Sequence, residues 1–320
     1  MKKIIKYWWI GLLLLIVVGF GVWWFSKSQP APVSPEAERV IIDRPLNKYR
    51  FEELRQAVSV PSQIEVKEEI FFFETDGKKM SGQIKVPVGN PPVGGWPVVI
   101  MIRGYVDREI YEIGMGTKNG AEYFRANGYL TLAPDFLGFG ESDMPPNNVL
   151  EERFMRPKQV LDLIASVKTL TYADANKINI WGHSNGGQIA LSVLEISGAN
   201  YPTALWAPVS KPFPYSILYY TDESDDRGKA LRRVIASFDA LYEADEFSIE
   251  HYYDFIKAPI QIHQGTVDDA VPLEWSQALY DRLKKLDKDV DLYIYPGADH
   301  NLVGSWNEAI KRSLVLFGTL

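Results

Sequence analysis

From Pro97 onward, short unbroken apolar runs alternate with longer amphipathic stretches, and no other feature narrows the possible folds as far. "PVVIMIRG" (Pro97 to Gly104), "YLTLAPD", "INIWG", "YPTALWAP", "APIQIHQG" and "VDLYIYPG" have the length and apolar content of strands covered on both faces. Between them, "AEYFRANG" closed by Gly128, Pro157 to Leu170, "GQIALSVLEIS", Leu273 to Leu286 and Trp306 to Phe317 read as helices. The second of these carries Val160, Ile164, Val167 and Leu170 or Leu163 along one face, with Pro157 tolerated in its first turn. Ahead of the alternation, Gln63 to Glu74 reads as one strand, and Thr75-Asp76-Gly77 as a tight turn into "KKMSGQIKVPV". The expected class is therefore α/β: a mostly parallel sheet with an antiparallel N-terminal hairpin and helices on both faces, over residues 63–320. An irregular insertion at about 209–257 interrupts it.

The start of the chain is a different kind of sequence. After "MKKIIK", Tyr7 to Ser26 runs for twenty residues without a charge, enough as a helix at about 1.5 Å per residue to cross a hydrocarbon core of roughly 30 Å. Trp8 and Trp9 at one end, and Trp23 and Trp24 at the other, fall where aromatic belts form. A cleaved signal peptide is the competing reading, but no A-x-A-like site follows. Residues 1–26 are therefore expected to be a single-pass membrane anchor. Lys2, Lys3 and Lys6 against Lys27 alone orient it with the N-terminus cytoplasmic and the rest exported. Residues 27–62, with four prolines before Leu46, read as a linker and N-terminal extension.

Composition then removes several functions. A net charge of −7, a pI near 5.3 and no Lys/Arg cluster beyond the first residues argue against a nucleic-acid partner. Without cysteine there is no thiol chemistry, and the four histidines show no metal-site spacing, so no metal is expected. Gly138-Phe139-Gly140 lacks the third glycine of a dinucleotide fingerprint.

In sheets of this kind ligands bind beyond the carboxyl ends of the strands, so the residues just past each strand are the ones to examine. Past "INIW" stands Gly182-His183-Ser184-Asn185-Gly186, a G-x-S-x-G sequence between strand and helix. Such a turn forces the serine into a strained conformation, and side chains at the flanking glycines would collide with the adjoining strand and helix. It also aims the backbone N–H of Asn185, at a helix start, toward an oxygen bound over Ser184. Past "APIQI" stand Asp268 and Asp269, and past "VDLYIYPG" stands His300. Serine, acid and histidine in that order, each after its own strand, is the order of one class of nucleophilic hydrolase.

These residues resemble the α/β-hydrolases, and "GHSNGG", "IKAPIQIHQGTVDDAVP" and "YPGADH" resemble the catalytic domain of the prolyl oligopeptidase family of serine peptidases. Matching the D-x-x-V-P ending implies Asp268 rather than Asp269 as the acid. The resemblance places a second oxyanion donor at the backbone N–H of Tyr105, although here "Arg103-Gly104-Tyr105" stands where relatives often carry His-Gly-Gly. Asp135 and Ser142, in a loop that shapes the site's rim in relatives, are expected to be structural. The β-propeller that commonly precedes this domain has no counterpart in the sequence given. For Arg103 an ion pair with a nearby carboxylate is expected, and for His183 and His263 a packing role.

The chemistry expected is acyl transfer by Ser184, His300 and Asp268, which requires no metal or organic cofactor. The triad does not choose between a peptide and an ester substrate; the family resemblance favours peptides. A non-catalytic binding protein of the same fold would be marked by a missing triad member, and none is missing.

Overall fold

The computed structural model describes residues 43–318 except 222, 223 and 225, so the expected anchor lies outside the described residues. From Arg44 on, the residues form one unit built on a nine-stranded sheet with the order β1-β2-β3-β5-β4-β6-β7-β8-β9. The strands are β1 (Glu65–Lys67), β2 (Ile70–Thr75), β3 (Lys78–Lys85), β4 (Trp96–Ile102), β5 (Leu130–Pro134), β6 (Ala173–His183), β7 (Thr203–Trp206), β8 (Ile260–Gly265) and β9 (Val290–Tyr295). β1 to β3 are antiparallel and β3 joins β5 antiparallel; every other pairing is parallel.

The helices are α1 (Phe51–Gln56), α2 (Lys118–Ala126), α3 (Val149–Phe154), α4 (Arg156–Ser166), α5 (Asn185–Ser197), α6 (Tyr215–Leu218), α7 (Lys229–Asp239), α8 (Leu273–Lys285) and α9 (Trp306–Phe317). Alternation along β4 explains why they cover both faces. Val98, Ile100 and Ile102 point into a core shared with α4, α5 and α8, while Val99 and Met101 point into a second core with Phe124 of α2 and Ile310 and Phe317 of α9. An apolar run without alternation is thus a strand with no solvent face.

Two expectations change. Gln63 to Glu74 is not one strand: Glu68, at φ 57°, starts a two-residue turn, and Lys67 pairs with Ile70. No glycine, asparagine or proline announces that turn. Residues 44–56 are folded rather than a linker, since Leu46, Tyr49, Phe51 and Leu54 are buried in the main core and Phe51 stacks on Tyr252 at 4.7 Å. Their apolar residues were hidden among charges and prolines. The turn at Asp76 and Gly77 has positive φ at both positions, the type I′ geometry that suits the twist of a hairpin.

Among the described residues no helix is long and apolar enough to cross a membrane. The 209–257 insertion contains α6, α7 and several short 3-10 turns. Its Phe213, Phe238 and Phe247 pack on Phe154 of α3 with ring centroids 5.0, 5.8 and 4.7 Å away. These three rings therefore join the main core.

Candidate active site

The winding of the sheet reverses between β4 and β6: the chain leaves β4 for β5 on one side and returns to β6 on the other. A crevice opens where connections diverge in this way. Ile102 lies opposite Gly182 in the register, so the residues beyond the two strands, Gly104 and Ser184, come face to face. A Cβ on Gly104 would sit 3.1 Å from the Ser184 Cβ.

Ser184 links β6 to α5 with φ 55° and ψ −122°, a backbone conformation that costs on the order of 1–3 kcal/mol in a non-glycine residue. Its N–H donates to the Trp206 carbonyl at 2.8 Å, and its own carbonyl accepts from Val209 N–H at 3.0 Å, which holds the turn. The neighbouring glycines are required by contact. A Cβ on Gly182 would lie 2.7 Å from the Gly186 carbonyl oxygen, and one on Gly186 would overlap the Ile102 carbonyl. Asn185 is the first residue of α5, where N–H groups have no partner within the helix.

His300 follows β9 and Asp268 follows β8. The His300 Nδ1 is 2.9 Å from Asp268 Oδ2 and 3.0 Å from Oδ1. The Asp268 carboxylate is shielded from solvent and also accepts from Gln264 Nε2 at 2.8 Å and from the N–H groups of Ala270 and Val271 at 2.9 and 2.8 Å. Burial alone would raise its pKa, but the hydrogen bonds from His300 and Val271 outweigh burial and hold it below the ordinary carboxylate value. An acceptor at Nδ1 places the proton of a neutral imidazole there and leaves the Nε2 lone pair free. Asp269 makes no such contact.

His183 does more than pack. Its Nε2 lies 3.0 Å from the carbonyl oxygen of His300, and the two rings are 4.7 Å apart. Burial, and then the neighbouring His300, depress its pKa to about 4, so it is neutral near pH 7. A carbonyl can only accept, so Nε2 carries the proton and ties the loop bearing His300 to the residue before Ser184. His263, with Nδ1 2.8 Å from the Tyr295 hydroxyl and a pKa lowered by burial to about 3, is a core residue.

Arg103 departs from expectation. Among the described residues it makes no ion pair; Nη1 donates to the Gly104 carbonyl at 2.9 Å and Nη2 to the Asp135 carbonyl at 3.0 Å. Its guanidinium lies over the rings of Phe139 and Tyr111, 4.2 and 4.6 Å from their centroids. Strand-end carbonyls left without ladder partners require donors, and a buried guanidinium supplies two. Tyr105 itself is 74% exposed, its hydroxyl donating to Asp107 at 2.6 Å. The Asp135 carboxylate accepts from Ser81 and Tyr111 at 2.6 and 2.5 Å, and Ser142 Oγ accepts from Ser81 N–H at 2.9 Å, so the rim loop is latched to β3.

The doubly covered sheet with its antiparallel start, and the strained serine turn at its switch point, define an α/β-hydrolase. Within that class the chain belongs to the prolyl oligopeptidase family, whose profile matches residues 117–315. It is 21% identical over 278 residues to a probable dipeptidyl-aminopeptidase B of Ajellomyces capsulatus, covering 82% of this chain. The chain spans only 28% of that relative's length. It is 24% identical over 214 residues to the uncharacterized peptidase YtmA of Bacillus subtilis, covering 66% of this chain and 79% of the relative. Among solved structures, acetyl xylan esterase 1 of a Thermoanaerobacterium species superposes with a TM-score of 0.60 at 16% identity. That match covers 85% of this chain and 94% of the esterase, a likeness of fold.

Proposed function

We propose that the protein is a membrane-anchored serine peptidase in which Ser184 is the nucleophile, His300 the general base and Asp268 the residue that orients it. The observation that carries this reading is the Asp268–His300 hydrogen bond on a loop tied to His183, the residue before a serine held at φ 55°. His300 Nε2 takes the Ser184 proton as Oγ attacks the scissile carbonyl, and then delivers it to the leaving amine. Water hydrolyses the acyl-enzyme by the same route in reverse.

The N–H groups of Asn185 and Tyr105 hold the oxyanion, each donor being worth about 3–4 kcal/mol. A planar trans peptide points its N–H opposite to its C=O, so Arg103, by binding the Gly104 carbonyl, sets the direction of the Tyr105 N–H. Family membership favours an amide substrate over an ester. The twenty uncharged residues from Tyr7 to Ser26 support a single-pass anchor with the catalytic domain exported.

A fluorophosphonate probe tests the nucleophile: it labels the wild type and not Ser184→Ala, and a folded, unlabelled wild type would exclude the chemistry. A panel of aminoacyl-proline amides against short-chain acyl esters tests the bond, and turnover of esters alone makes the protein a carboxylesterase. Retention in the membrane fraction after an alkaline carbonate wash, lost on deletion of residues 7–26, tests the anchor.

A further inference from the structure

Beside the serine turn lies a cavity of about 40 Å³, and among the described residues the charges around it do not balance. Asn185 and Gln188 of α5, Arg153 and Arg156 from the α3–α4 corner, and Phe213 and Phe247 of the insertion are among its walls. Arg156 pairs with Glu152 at 3.0 Å, and the same carboxylate serves Arg108 at 2.6 Å. Among the described residues Arg153 has neutral acceptors alone, the Gln188 side-chain oxygen and Ser216 Oγ at 3.3 Å. Two guanidinium groups thus share one carboxylate, and among the described residues Arg153 is paired with none. Burial, and then the charge of Arg156, pull the Arg153 guanidinium down to about 9, which leaves it cationic at neutral pH. An enclosed cation with no counter-charge is unfavourable unless an anion comes to it.

Position decides which part of a substrate would bring that anion. Asn185 follows the nucleophile directly, so the cavity begins one residue beyond Ser184 and runs along α5 past Gln188. None of its walls comes from the loops bearing Asp268 and His300. The leaving group must lie on the His300 side to receive its proton, and the cavity therefore serves the acyl portion. Its volume holds roughly three water molecules, room for a carboxylate and a short methylene arm between aromatic walls.

We infer that this cavity is an acyl-side subsite for a carboxylate, so that the preferred substrates carry an acidic group on a short arm attached to the scissile carbonyl. An acidic residue on the N-terminal side of the cleaved bond has this form, as does the half-ester of a short dicarboxylic acid. Arg153 is the specificity-determining residue, forming a charge-assisted pair with the incoming carboxylate. The inference rests on the serine-hydrolase reading above.

The test uses the full chain in detergent with two pairs of chromogenic substrates. The first is the p-nitrophenyl monoester of glutaric acid against p-nitrophenyl valerate; the second is the p-nitroanilide of an N-acyl glutamate against that of an N-acyl glutamine. Activity on either pair is informative, and the two pairs distinguish an ester from a peptide source of the same carboxylate. The expected result is a kcat/KM about 10–100-fold higher for the anionic member, falling toward parity in Arg153→Met. In Arg153→Glu the preference inverts in favour of a p-nitrophenyl ester carrying a terminal amine.

If neither variant folds, glutarate should still slow fluorophosphonate labelling of the wild type where valeramide does not, and the difference should shrink in 0.5 M salt. A labelled wild type that shows no anionic preference and no protection by glutarate overturns the subsite while leaving the hydrolase reading intact. Absence of labelling in folded wild type overturns both.

Discussion

The guanidinium of Arg103 grips the backbone of the very next residue, donating from Nη1 to the Gly104 carbonyl at 2.9 Å. If the peptide it holds presents the Tyr105 N–H to the oxyanion, truncating Arg103 should act on the transition state and not on substrate affinity. Arg103→Ala should lower kcat about 100-fold with KM nearly unchanged, and Arg103→Lys, which cannot span both carbonyls, should recover only part of the loss. Steady-state kinetics on a single ester checks this. A rise in KM at constant kcat would assign Arg103 to substrate binding.

Of the two adjacent acids, only Asp268 meets His300. Asp268→Asn should reduce kcat by about 10³–10⁴-fold, because an amide presents the wrong partner to Nδ1, whereas Asp269→Asn should stay within about threefold of wild type. The hydrogen bonds that hold the Asp268 pKa below its ordinary 3.8 also set a sign. The stabilisation they provide is complete above the unfolded value and disappears as pH falls through the lower folded value. The acid limb of a kcat/KM profile above pH 4 should therefore persist unchanged in shape in Asp269→Asn and owe nothing to Asp268 protonation.

Glu195 on α5 is fully buried, and among the described residues neither of its carboxyl oxygens has a hydrogen-bond partner. Burial drives its pKa well above 4.5, so the folded protein keeps a proton that the unfolded chain releases. Its contribution to stability is present below about pH 4.5 and is lost as pH rises toward the folded value. Glu195→Gln should thus raise Tm at pH 8, by the equivalent of about 1–3 kcal/mol, and the advantage should vanish at pH 4.5. Thermal melts of both proteins across that range decide the matter; an equal shift at both pH values would mean a packing effect alone.

Gly186 sits where a side chain would run into the Ile102 carbonyl. Gly186→Ala must push α5 away from β4, and the expected loss is about 3 kcal/mol, read as a lower urea midpoint. An unchanged midpoint would show that the contact yields freely.

Much of the candidate site could be read from residue order alone. Ser184, Asp268 and His300 were accessible because strand-end positions are where such sheets bind ligands, and the apolar runs mark strand ends unambiguously. The choice of Asp268 depended on a local frame, D-x-x-V-P, whose geometry the two N–H groups of Ala270 and Val271 now explain. Arg103 and His183 were misread or undervalued, since their partners are main-chain carbonyls, and carbonyls leave no trace in a residue pattern.

Sequence by itself determined the layered architecture, because a strand without a polar face has to be buried on both sides, and it determined which loops carry the reactive groups. Tertiary structure alone decided that Leu46, Tyr49, Phe51 and Leu54 belong to the core, that Gly104 abuts Ser184, and that Arg153 lines a cavity with no acid paired to it among the described residues. These are relations between segments far apart in the chain. They depend on how helices and strands pack, and side-chain periodicity along one segment carries no information about which atoms another segment brings against it.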